Sequence, residues 1–133
     1  MTDWTKARAP SLDDFAALAQ AALEALPQPF RGMVANLRLR VDDFPDDEML
    51  DELGLQDPFE LTGLYQGTDL AHDSVLNVDP LPPQVLLFRR PILDEWCENG
   101  AVTLGELITH VLVHEIGHHF GLSDDDIHAA EDR

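Results

Sequence analysis

An α+β fold is predicted by three stretches of this chain. Residues 36–42 alternate strictly between apolar and polar, residues 84–88 form a compact apolar run, and residues 103–120 carry a broad apolar helical surface. Alternation marks a strand with one covered face, whereas a short unbroken apolar run marks a strand covered on both. An apolar surface too wide for an exposed helix marks a buried one. The 133 residues suffice for one domain with a single modest core. The expected architecture is a small sheet packed against an N-terminal helix and a buried helix near the C-terminus.

Each element has its own local reason. Residues 1–10 contain Pro10 and no periodicity, so they read as a flexible tail before a single domain over 11–133. Ser11 is placed to cap a helix reaching about residue 26, with Phe15, Leu18, Ala19, Ala22, Leu23 and Leu26 as its apolar stripe. Pro27-Gln28-Pro29 stops it. In the strand over 36–42, Leu37, Leu39 and Val41 face the core. Pro45 opens a short acidic helix that Gly54 closes. Residues 60–66 and 74–78 read as short strands that pair like a hairpin across Gly67-Thr68-Asp69. The Asp-Pro-Leu-Pro-Pro stretch at 79–83 is a stiff turn with no helical option. The strand over 84–88 then belongs at the centre of the sheet. Pro91 begins another short helix, ended by Asn99-Gly100, and residues 124–131 have room for a last helical turn. There is no internal repeat and no low-complexity linker.

The helix over 103–120, roughly 27 Å long, carries the chemistry. Thr103 with Glu106 has the spacing of a capping box, and Leu104, Leu107, Ile108, Val111, Leu112 and Ile116 supply the apolar surface. On it stands His114-Glu115-Ile116-Gly117-His118, an HExxH motif that Gly121 and Asp124 extend to HExxHxxGxxD. Histidines four apart lie one turn above each other, so both imidazoles can reach one Zn²⁺. Glu115 is then placed beside a reacting water. Gly121 can end the helix in the left-handed conformation and return Asp124 as a third ligand. Two histidines, a carboxylate and an open fourth position make a catalytic zinc site, because structural sites are closed.

The bland reading is a buried helix whose histidines align by accident. A chance HExxH arises on the order of once in a few hundred such chains, and the cap and apolar surface around it argue against accident. The third ligand stays open among Asp124, which the spacing favours, and Asp125, Asp126, His128 and Glu131. His110, four residues before His114, reads as a helix-surface histidine or a group supporting the site. His119 points about 100° away from His118 and is not expected to ligate. Tyr65, the single tyrosine, is an ordinary strand residue or a hydrogen-bond donor to substrate. Gly117, mid-helix, is expected to serve close packing.

Composition narrows the partners. The net charge of −18 repels nucleic acid and anionic membranes and would favour cationic peptides or divalent metals, although a solvated, solubilising surface is the simpler reading of it. No apolar run approaches the ~20 residues of a membrane span, and the N-terminus lacks the layout of a secretory signal, so a cytoplasmic location is expected. Cys97, the lone cysteine, allows no internal disulfide and reads as a packing residue.

Residues 114–124 resemble the signature of the short bacterial zincin-like metallopeptidases, a family once catalogued as a domain of unknown function. The resemblance spans about residues 30–128, aided by Arg89-Arg90-Pro91-Ile92 upstream of the motif. It implies a zincin-like fold with a mixed sheet over the active-site helix, and zinc held by His114, His118 and Asp124. The chain departs from better-known zincins in two ways. The methionines are Met1, Met33 and Met49, all before the motif, so no methionine turn follows it. A later glutamate ligand could come only from Glu131. Nine residues follow Asp124, so no C-terminal subdomain walling the lower side of a cleft is expected.

The leading expectation is a zinc-dependent metallopeptidase-like hydrolase with Glu115 as base, acting on peptides or proteins that are basic or unfolded. An extended substrate could add to a strand edge in the 60–78 region. The alternative is a non-enzymatic zinc-binding module with an acidic interaction surface. A metal-free acidic decoy is a third class, which the motif disfavours.

Overall fold

The structure is a computed structural model that describes residues 3–28, 30–66 and 83–119, with backbone alone for Met33, His118 and His119. Trp4–Lys6 make a single exposed 3₁₀ turn capped by Asp3. Helix α1 spans Leu12–Glu24 and starts at a reciprocal cap: the Ser11 hydroxyl accepts from the Asp14 N–H (3.1 Å), and the Asp14 carboxylate accepts from the Ser11 N–H (2.8 Å). Asp13 and Asp14 also complement the helix dipole there. Its buried residues, Phe15, Ala19 and Leu23, recur every fourth position. Leu18, expected in that stripe, is 37% exposed, because it sits off the line those three define.

A one-turn helix, α2 (Phe30–Met33), was not expected; it is too short to leave a periodicity. Strand β1 is Arg38–Asp42, two residues shorter at its start than the alternation suggested. There the Leu37 N–H closes a turn onto the Val34 carbonyl (3.0 Å), and pairing starts at Arg38. Helix α3 (Asp47–Leu53) begins after Pro45, because Asp46 takes the cap and accepts from the Met49 N–H at 2.8 Å. Gly54 adopts a left-handed φ of 69°, and the Leu55 N–H returns to the Leu50 carbonyl, as in a Schellman ending.

The strand expected from residue 60 starts later. Asp57 caps a 3₁₀ turn over Pro58–Glu60, which takes Glu60 away from the sheet. Strand β2 is Gly63–Gln66. The partner expected for it, residues 74–78, lies outside the described residues, as does the stiff turn up to residue 82. Among the described residues β2 pairs with β3 (Gln84–Phe88), antiparallel, with Tyr65 opposite Val85. Strand β1 pairs with the other side of β3 in parallel, giving a mixed sheet of order β1-β3-β2. Residues Val85 to Phe88 are all fully buried, which is the two-sided burial their unbroken apolar run implied.

Helix α4 (Arg89–Glu98) leaves β3 directly, two residues before Pro91. The proline sits in the first turn, where a helix needs no N–H from it. Arg89 ties this corner together: its Nε donates to the Pro10 carbonyl (2.6 Å) and its Nη1 pairs with Asp43 (2.9 Å). Helix α5 spans Leu104–His119, and the Thr103 hydroxyl accepts from the Glu106 N–H at 3.1 Å. Helix α1 packs on β1 and on α5, while α5 lies over β2 and β3. Their meeting surface is the core, with Phe15 and Leu23 from α1, Val85 and Leu87 from β3, and Ile108 and Leu112 from α5.

Candidate active site

Helix α5 sets the site by its rotation. Ile108, Val111 and Leu112 are buried and fix which side of the helix meets the sheet. Glu115 falls two turns after Ile108 and one turn after Val111, so it emerges on that same side, toward β2. Its Oε2 accepts a hydrogen bond from the backbone N–H of Tyr65 at 3.1 Å. Strand parity explains why that N–H is available to it. The Thr62 carbonyl accepts from the Phe88 N–H (3.0 Å), so even-numbered residues turn their backbone groups to β3. Tyr65 therefore presents its N–H on the outer edge of β2, which no other strand pairs among the described residues. A half-buried carboxylate bonded to an edge amide is positioned, not freely rotating.

Gly63 makes this approach possible. A Cβ there would stand 2.7 Å from Val111 Cγ1 and 3.4 Å from both Glu115 Cγ and the Leu86 carbonyl oxygen. The first distance is below van der Waals contact, so a side chain would push β2 off α5. Sequence reading passed over this residue, although a glycine inside a strand pattern is the signal for close backbone approach.

His114 is half-buried, and its Nε2 atom is fully so. The ring of His110 lies against it, with centroids 4.2 Å apart and planes at 61°. His110 itself is exposed, so it is both a helix-surface residue and the neighbour that limits the His114 ring on one side. His114 and Glu115 leave the helix about 100° apart.

Helix α5 continues through His118, one turn beyond His114, and through His119. Asp124, Gly121 and the competing Asp125, Asp126, His128 and Glu131 lie outside the described residues, so no set of three ligands is assembled among the described ones. Tyr65 contributes through its backbone amide, while its ring packs against the core. Cys97 is exposed, not packed: α4 buries Pro91 and Ile92, and position 97 falls on its solvent side. No helix among the described residues is long and apolar enough to cross a membrane.

A sequence family described as zincin-like metallopeptidase matches residues 34–133, from just before β1 to the last residue. A search of curated proteins returned no match.

Proposed function

This chain belongs to the zincin-like metallopeptidase family, and from that premise we propose that it hydrolyses peptide bonds with Glu115 as general base. The observation that carries this reading is the Glu115 carboxylate, held against the β2 edge by the Tyr65 N–H and one residue along α5 from His114. The donor chemistry fits zinc: His114 and His118 would offer nitrogen from positions one helical turn apart, and Asp124, three residues after Gly121 in the sequence, would offer oxygen. Bound there, zinc would acidify a water and polarise the scissile carbonyl.

The chain's own residues supply the rest. Glu115 removes the proton from the attacking water and passes it to the leaving amine, so the carboxylate begins and ends the cycle ionised. The Tyr65 amide keeps it aimed between steps. Gly63 lets the strand come close enough for that bond. Strand β2 is an edge among the described residues, and an extended peptide would lie along it beside Glu115 through groups other than the Tyr65 N–H. The acidic surface favours basic peptides at this edge.

The Glu115→Gln variant tests the assignment. The amide keeps the shape and can still accept from Tyr65 but cannot take a proton. Hydrolysis of a peptide library should fall by at least about a hundredfold, with one zinc still bound per chain. Undiminished cleavage by the variant would remove Glu115 from the mechanism.

A further inference from the structure

A second surface lies on the same helix, turned away from the sheet. An apolar groove with a cavity of about 1150 Å³ runs between the C-terminal half of α1, the end of α4 and the outer face of α5. It exceeds the roughly 300–1,000 Å³ of small-molecule sites. Leu18, Ala21 and Ala25 enter it from α1, and Val113 and Gly117 from α5. Leu18, Ala21 and Ala25 are exposed, so apolar surface here meets solvent among the described residues. The exposed acids Glu95, Glu98 and Glu106 stand along it, and no described lining residue is lysine or arginine.

We propose that this groove docks a basic amphipathic helix of a partner protein. Its apolar stripe would cover Leu18, Ala25 and Val113, and its lysines and arginines would meet Glu95, Glu98 and Glu106. Charge selects this occupant over two nearer ones. Residues 120–133 of the chain carry five acids against Arg133, so the acidic rim repels them. A second copy brings a net charge of −18 to the same rim. The net charge would also steer a basic partner inward from a distance. His110 lines the groove and lies against His114, so an occupant would touch the ring next to the candidate site. The inference stands independently of hydrolysis, because its test reads binding alone.

The test is calorimetric titration of the full-length protein, at physiological salt, with a synthetic helical peptide of about 18 residues bearing leucine on one face and lysine elsewhere. One peptide should bind per chain, and a glutamate-for-lysine version should not. The triple reversal E95K/E98K/E106K should weaken binding by about tenfold or more, and A25W, which fills the groove, should do the same. The reversal D51K/E52K on α3, away from the groove, should change affinity by less than about threefold. Absence of saturable binding overturns the proposal, as does equal loss in the α3 and groove reversals, which would mean general charge attraction. If A25W fails to fold, the two reversals decide alone. Light scattering that shows a dimer broken by the groove reversal would give the groove to a second copy. A spin label on exposed Cys97 that broadens the amides of Leu122 and Ile127 in the free protein would give it to the chain's own end. Either result contradicts the proposal.

Discussion

Gly63 and Glu115 meet where β2 crosses α5, and the site depends on how closely they do so. A methyl group at position 63 would lie 2.7 Å from Val111 Cγ1, the stiff branch of a buried side chain. Gly63→Ala should therefore cost about 1–3 kcal/mol of stability by overpacking and loosen the Tyr65–Glu115 bond. Val111→Ala removes the opposing methyl, so the double variant should be more stable than the sum of the single losses implies. Denaturant unfolding of the four proteins measures that coupling, and strict additivity would mean that the contact is not what Gly63 relieves. At this scale the sequence pointed to part of the candidate site. His114, Glu115 and His118 announce themselves by spacing, because helix geometry converts spacing into direction. The partner of Glu115 does not, because a backbone amide has no letter, and Tyr65 drew notice only for its hydroxyl.

The elements that were legible are those whose burial repeats. Helices α1 and α5 follow from periodicity and a cap, strand β3 from its unbroken apolar run, and the structure puts all three around one core. Turns decided what was misread. Asp57-Pro58 draws Glu60 into a 3₁₀ turn and delays β2, Asp46 outcompetes Pro45 as the start of α3, and α2 is a single turn. The mixed order of the sheet, with β3 between an early parallel partner and a later antiparallel one, is not contained in any local pattern. Two stability predictions belong here. Thr103→Ala removes the hydroxyl that accepts from Glu106 and should cost about 1 kcal/mol, read from the urea midpoint. Ile108→Ala empties the fully buried centre of α5 and should cost about 2–5 kcal/mol. If Thr103→Ala costs more than Ile108→Ala, the helix is held by its end and not by its packing.

As a whole, the molecule carries 26 acids against 8 basic residues, so its folded state contends with its own charge. Raising salt from low ionic strength to about 0.15 M should raise Tm by screening that repulsion; an unchanged Tm would mean that the acids are spread too widely to matter. Zinc should add to stability by mass action, about 2.7 kcal/mol at a hundredfold excess over Kd. Asp124→Ala should lose most of that gain, and an undiminished zinc-dependent rise in Tm would move the third ligand to another residue. The central claim is that one zinc and Glu115 together make this chain a peptidase. It is tested most directly by measuring peptide-library cleavage while zinc is added back to metal-free wild-type protein. The account predicts a rate that climbs in proportion to zinc and levels off at one equivalent per chain. A fully loaded protein that cleaves nothing in the library would contradict it.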